Sequence, residues 1–259
     1  MTNLARRPGE LLADDERQLT VDPMTLMPAD GPPKKIVRPR DAASLIPYRR
    51  RQNGEVEVLM GRRHTRHSFV PDFYVFPGGR VDQADGRARA ATPLRADVAS
   101  RVARSCRHNI SRAAAFALSA VRETYEETGL MLGAPMAEPP ENISEEWSHV
   151  YDSGLGPDLA ALDYIARART PTFSPIRFDA RFFLADASDV SGTLGGTGEL
   201  EDMAWRSFAE SLKLPLVDVT EFLLDELLPA YFEKPPEPDP DRAVPFFCFL
   251  RGRARVIDG

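Results

Sequence analysis

Cysteine is nearly absent from this chain. Its 259 residues hold only Cys106 and Cys248. Two such distant cysteines exclude a disulfide framework, and a reducing compartment, taken as the cytoplasm, is the expectation. Long hydrophobic runs are also missing. The longest, Ala113 to Val121, is broken by Ser119 and falls far short of the roughly 20 residues that span a bilayer. The first 25 residues carry Arg6, Arg7, Asp14, Asp15, Glu16 and Arg17 without an apolar core, so no secretory signal is expected. Histidine is scarce too. His64 and His67 have no third Cys or His nearby, which argues against zinc. What remains is 42% hydrophobic and 28% charged, an ordinary globular balance that sets aside collagen, coiled coil and wholly disordered chains. The length allows one large domain or two small ones.

The net charge of −6 conceals an asymmetry. Residues 1–110 carry 20 Lys and Arg against 13 Asp and Glu, whereas residues 111–259 carry 13 against 26. A basic segment and an acidic segment that meet across one site would explain the split, and scattered surface charge would explain it equally well.

Residues 1–33 read as a flexible tail, with Pro8, Pro23, Pro28, Pro32 and Pro33 and no periodicity. Residues 34–259 read as a single domain. Ala43–Tyr48 and Glu55–Met60 form two expected strands around the hairpin signal Asn53-Gly54. Phe73–Phe76 is a short apolar strand closed by Pro77-Gly78-Gly79. Residues 86–110, rich in Arg and Ala, resemble a surface insertion with a helix near Ala96–Arg104. Ser111–Thr128 favours helix, with Ser111 as N-cap and Gly129 as stop. Asn142–Tyr151 and Asp158–Ala168 are further expected helices. Strands are expected at Phe178–Leu184, Glu201–Trp205 and, as a last edge strand, Phe246–Leu250. The glycine-rich stretch 192–198 reads as a loop, and Ser207–Leu212 and Asp218–Tyr231 as helices. Irregular alternation of strands and helices favours an α/β or α+β sandwich around a mixed sheet. Trp205, Phe182, Phe183 and Leu184 are expected in the core. Phe246, Phe247 and Phe249 suit either the core or the interface of a homodimer.

The most informative stretch is Arg122-Glu123-Thr124-Tyr125-Glu126-Glu127-Thr128-Gly129-Leu130. On a helix, Glu123 and Glu127 share a face one turn apart, with Glu126 beside them. Like charges at these spacings repel, and near the helix C-terminus they also oppose the dipole. Such a cluster is a solvated acidic face unless a cation sits there, and carboxylates suit hard divalent cations. Upstream, Gly78 and Gly79 end a strand and permit close approach of backbone to a ligand.

This segment resembles the box of the Nudix hydrolases: Gly, five residues, Glu, seven residues, Arg-Glu, an aliphatic residue, any residue, Glu-Glu, any residue, Gly, aliphatic. Arg122, Glu123, Glu126, Glu127, Gly129 and Leu130 match its second half, with Thr124 in place of the aliphatic residue. The first half is displaced. Five residues after Gly79 comes Asp85, an acid where the family has Glu, and 36 residues rather than seven separate it from Arg122. The resulting 29-residue insertion falls where loop length costs little. Glu199–Trp205 followed by Ser207–Glu210 is similar to the family's late acidic loop, Trp strand and short helix, so the resemblance covers roughly residues 40–212. An insertion in the box also marks a Nudix subgroup that includes a coenzyme A diphosphatase. Phe76–Asp82 resembles that subgroup's turn, and Val58–Arg62 fits the start of its coenzyme A signature, the rest of which is out of register by one residue and lacks its glycine.

The resemblance implies an α/β/α sandwich around a mixed sheet. It also implies hydrolysis of the pyrophosphate bond in a nucleoside diphosphate linked to another moiety, coenzyme A or a related compound among them. Glu123, Glu126 and Glu127 would hold Mg²⁺ or Mn²⁺. Either Glu126 or a glutamate of the later loop, Glu199 or Glu201, would act as general base, and Arg122 would fix a neighbouring carboxylate. Arg62 and Arg66 would contact substrate phosphate, and Gly78 and Gly79 would let backbone approach it. The expected partner is a small-molecule diphosphate, with neither nucleic acid nor membrane. A non-catalytic Nudix-like nucleotide-binding module is the alternative, supported by the altered first half of the box. A structural domain with a solvated acidic helix is the third reading.

Overall fold

The computed structural model describes residues 31, 33, 35–65, 70–106, 109–136, 138, 140, 141, 143–250 and 253–258. In chain order its elements are β1 (Arg40–Arg50), β2 (Val56–Arg63), β3 (Tyr74–Val75), β4 (Gly78–Arg80), α1 (Ala96–Ser105), α2 (Ile110–Thr128), β5 (Leu130–Pro135), α3 (Glu145–Tyr151), β6 (Leu155–Pro157), β7 (Asp163–Arg169), β8 (Phe178–Asp186), β9 (Val190–Gly192), β10 (Leu200–Ser207), α4 (Phe208–Ser211), α5 (Asp218–Phe222), α6 (Leu228–Glu233), β11 (Pro245–Leu250) and β12 (Arg253–Asp258). The tail reading falls on residues outside those described, apart from 31 and 33.

Nine strands form one mixed sheet in the order β10-β2-β1-β8-β7-β11-β12, with β3 added to β2 and β4 to β1. β1 runs parallel to β8 and β11 parallel to β7; the other pairs are antiparallel. The hairpin around Asn53-Gly54 joins β1 to β2 as expected, with Tyr48 opposite Val58. Residues alternate between two cores, as the pleat requires. Leu45, Phe183 and Ala185 face one core with Val98, Val102, Ala117 and Val121 of α1 and α2. Ile46, Phe182 and Leu184 face the other with Phe222, Leu223 and Leu228. The chain is therefore an α/β/α sandwich around a mixed sheet. A smaller sheet, β6-β5-β9, lies beside it.

Several local expectations change. Residues 158–168 are not a helix, because β7 occupies Asp163–Arg169. Alanine-rich composition favours helix only weakly. Here pairing with both β8 and β11 decides, and a bulge at Ile165 shifts the β7–β8 register by one residue. α2 is capped by Asn109, whose side chain accepts from Arg112 N, rather than by Ser111. α3 starts at Glu145, and Asn142 lies outside the described residues. β11 is an inner strand, and β12 forms the edge beyond it. Asp218 to Glu233 is helical, with a π-helical stretch over Leu223–Leu227. Trp205 is half-buried beneath the Arg49 guanidinium, 4.9 Å from its ring, rather than in the core.

The segment 86–110 is not a surface excursion. Val98 and Val102 of α1 are fully buried. The Arg101 guanidinium, 1% exposed, donates to Asp163 at 2.7 Å and to Tyr164 O at 2.5 Å. Arg95 and Arg242 converge on the same carboxylate, and Tyr231 donates to it at 2.8 Å. This cluster ties α1, β7, α6 and the approach to β11 together.

Candidate active site

α2 ends where the box does. Gly129 takes a left-handed conformation, φ 73°, and its N–H donates to Tyr125 O, a C-cap that glycine reaches without Cβ strain. Buried Ala113, Ala117, Ala120 and Val121 anchor the helix on the sheet. That anchoring fixes where its glutamates point.

Gly78 and Gly79 form β4, hydrogen-bonded to β1, with Gly79 opposite Ala43 and Gly78 opposite Ser44. Gly78 N–H donates to Glu127 Oε2 at 2.8 Å. A Cβ on Gly79 would overlap the Glu123 carboxylate. The glycines are needed because two carboxylates press directly on the strand.

Arg122 is buried at 3% exposure and joins four carbonyl or carboxylate groups. Its Nε donates to Asp85 Oδ1 at 2.8 Å, Nη1 to Glu126 Oε2 at 3.0 Å and Nη2 to Arg80 O at 3.3 Å. Nη2 also lies 2.9 Å from Glu123 Oε1. Burial works against its charge, yet the hydrogen bond to Asp85 and the field of Glu123 raise its pKa. Arg122 thus orients carboxylates from within the fold. Asp85, fully buried, meets Arg122 across the whole insertion and also accepts from Trp147 Nε1 at 3.1 Å and from Asp82 N at 2.7 Å.

A cavity of about 400 Å³ opens at this point, with Gly78, Gly79, Glu123, Glu127, Glu199 and Arg63 in its lining. Burial drives the Glu127 carboxyl up to about 8, against the pull of the Gly78 N–H and with the repulsion of Glu123. Burial likewise raises Glu123 to about 7, opposed by Arg122 and reinforced by Glu126. Burial lowers the Arg63 guanidinium, while Glu127, Glu199 and Glu123 hold it up.

Glu126 is not in the cavity lining. Besides Arg122, its carboxylate lies 3.3 Å from His149 Nε2, and the His149 ring stacks on Tyr125 with centroids 5.8 Å apart. Arg62 also stays out of the lining; it pairs with Glu201 at 2.8 Å and Asp72 at 3.7 Å. Glu201 lies 3.5 Å from His64 as well. Arg66 and His67 lie outside the described residues. Arg63 lines the cavity in place of Arg62, a choice that strand alternation by itself leaves open. On β2, neighbours point to opposite faces, so only one of Arg62 and Arg63 can face the cavity.

The donor set suits a hard cation. Glu123, Glu127 and Glu199 offer carboxylate oxygens, the ligands Mg²⁺ and Mn²⁺ take. The raised acids are the state that a nearby divalent charge reverses. Among the described residues no group of three or more such side chains is arranged at metal-holding distance.

No protein-family model matches the chain. The chain is 31% identical over 126 residues to an acyl-coenzyme A diphosphatase, NUDT19, of Gallus gallus. That match takes in 41% of this chain and 31% of the relative, so the chain spans about a third of the relative's length. Among solved structures, a Nudix hydrolase from Alicyclobacillus acidocaldarius superposes with a TM-score of 0.56 at 28% identity, covering 75% of this chain and 93% of that one. A Nudix hydrolase from M. smegmatis, RenU, gives a TM-score of 0.41 at 15% identity, covering 76% and 89%. With its box placed between β4 and α2, and three quarters of its length aligned with the Alicyclobacillus hydrolase, the chain has the fold of the Nudix hydrolases and is similar to them in sequence along the box.

Proposed function

We infer that the chain hydrolyses the pyrophosphate bond of a nucleoside diphosphate linked to another moiety, with Mg²⁺ or Mn²⁺ as cofactor. One observation carries this reading: buried Glu127 and half-buried Glu123 meet Arg63 and Glu199 in one cavity, where burial raises both carboxyls. Perturbed acids in a cleft are the usual signature of a reacting site.

Glu123 and Glu127 would hold the cation, which when bound neutralises phosphate charge and acidifies water. The chain's own residues do the rest. Gly78 N–H fixes one oxygen of Glu127. Arg122 fixes Glu123 and Glu126. Arg63 supplies positive charge on the cavity wall, where phosphate oxygens gain charge as the bond breaks. Glu199 is favoured over Glu126 as the group that takes the proton from attacking water, because Glu199 lines the cavity and Glu126 does not. Coenzyme A or a related thioester is the leading substrate, since the matched relative acts on acyl-coenzyme A by its name. The two cysteines are buried and free, which supports a reducing compartment such as the cytoplasm. No helix among the described residues is long and apolar enough to cross a membrane.

A screen of coenzyme A, a dinucleotide, ADP-ribose and a nucleotide sugar with Mg²⁺ and with Mn²⁺ tests the reading. Cleavage that stops in excess chelator and in Glu127→Gln is expected; undiminished cleavage in either condition overturns it. The second reading, a nucleotide-binding module without catalysis, is favoured by the engagement of Glu126 away from the cavity. It predicts binding without cleavage of any of the four.

A further inference from the structure

Four glycines in seven residues, Gly192, Gly195, Gly196 and Gly198, read as a slack loop. In the fold that loop is tied at both ends and in the middle. Gly192 closes β9 and pairs with Leu130, the first residue of β5. At the far end Leu200 opens β10 opposite Arg63, and His64 N–H donates to Glu199 O at 3.3 Å. Between these ties, Gly195 N–H donates to Thr128 O at 2.9 Å and Thr197 N–H to Glu126 O at 3.1 Å.

Both carbonyls belong to the last turn of α2, the helix that carries the glutamates. The last four carbonyls of a helix find no partner inside it. Gly129 N–H takes the one on Tyr125, and the loop takes two of the remaining three. The contact is tightest at Gly196, whose φ is 113° and on which a Cβ would overlap Glu127 O. Only glycine combines that conformation with that approach. Ordering glycine costs more conformational freedom than ordering any other residue, and a loop that merely joined β9 to β10 would need no such contact. Glu199 follows two residues after Thr197, a reach of at most about 7 Å, and lines the cavity with Glu123, Glu127 and Arg63. The bonds that seat the loop therefore also fix how far Glu199 stands from the helix glutamates.

We propose that the 192–198 loop is a rigid brace that positions Glu199 against the Glu123–Glu127 pair, with Gly196 as its positioning residue. This rests on the reading of the cavity as the hydrolytic site in which Glu199 takes the proton from water. Gly196 acts only through Glu199: it lets the loop seat on the end of α2, so that the acceptor stands in place before substrate arrives.

Hydrogen exchange on the full chain, resolved by residue, tests the seating without turnover. The Gly195 and Thr197 amides are expected to exchange at least about tenfold more slowly than in a free peptide of residues 191–199. Exchange at the peptide's rate overturns the proposal. Kinetics on a cleaved diphosphate test the consequence. Gly196→Ala should lower kcat by on the order of 10²-fold, with KM within about twofold of wild type. Glu199→Gln should lower kcat at least as far, and the double variant should be no slower than Glu199→Gln alone. Losses that multiply in the double variant overturn the proposal, as does a wild-type kcat in folded Gly196→Ala. If Gly196→Ala does not melt as a folded chain, the wild-type exchange rates decide. A chain that cleaves no diphosphate overturns the hydrolase reading alone. The same cycle is then read in Mn²⁺ affinity by calorimetry, where Gly196→Ala and Glu199→Gln should each weaken binding severalfold and the double variant no more than Glu199→Gln. Unaltered affinity in Gly196→Ala overturns the brace.

Discussion

Two groups of buried and half-buried carboxylates flank the same sheet and reach opposite electrostatic states. At Asp163, three arginines, Arg95, Arg101 and Arg242, converge with Asp97 nearby, and both acids are held below their ordinary range. At the end of α2, one buried arginine, Arg122, serves Asp85, Glu123 and Glu126, and Glu123 and Glu127 are driven up instead. The first group is matched within the fold. The second presses two poorly compensated acids toward a cavity. Burial penalises charge in both, so the count and placement of arginines decide the outcome. A matched cluster is structural; an unmatched one is costly to the fold and points to a ligand that supplies the missing charge.

The sharpest contrast comes from removing one member of each. Glu127→Gln should lower kcat for diphosphate cleavage by on the order of 10²–10³-fold or more. Its thermal midpoint should stay level or rise, because the Gln oxygen can still accept from Gly78 N–H and no buried group is left to ionise. Arg101→Ala should do the reverse, costing about 3–5 kcal/mol in urea unfolding, because it breaks a buried network that joins Asp97, Asp163 and Tyr164 O and leaves a cavity in its place. Equal loss of stability in both variants would erase the distinction.

pH separates the groups next. Burial alone would raise the Asp97 carboxyl, but hydrogen bonds from Arg95 and Arg101 hold it at about 2. A folded-state pKa below the unfolded value means that the folded chain binds fewer protons. The stabilisation is therefore complete above about pH 4 and is lost as pH falls toward about 2. Urea midpoints measured down this range should fall, and the fall should shrink in Asp97→Asn.

Smaller effects follow. Saturating Mg²⁺ or Mn²⁺ should stabilise the wild-type chain by about 1–3 kcal/mol through mass action. The gain should vanish in Glu127→Gln and survive in Asp97→Asn, read by thermal melting with and without cation. Trp147→Phe removes the indole N–H from buried Asp85 and should cost about 1–2 kcal/mol, read by urea unfolding.

The box helix, the hairpin at Asn53-Gly54, the strand at 178–186 and the layered fold follow from local signals: acidic spacing, turn chemistry and alternation. β7 does not, because its alanines favour helix and only the neighbours β8 and β11 make it a strand. The three glutamates of α2 were recognisable as a group, but not that Glu126 would be held by Arg122 and His149 while the other two face the cavity. Helical spacing sets directions only to within a turn, and α3 supplies the histidine from a segment with no recognisable motif. Asp85 was visible as an acid at the right distance from Gly79; its meeting with Arg122 across the insertion is a consequence of packing.

The chain's residue order alone determines that a glutamate-bearing helix follows a glycine-bearing strand, since both depend on interactions between near neighbours. The choice of Arg63 over Arg62 for the cavity and the opposite charge states of the two acid clusters arise only when distant strands pair. Each depends on which side chains share a face and how many cations reach a buried acid, and those are properties of the assembled sheet.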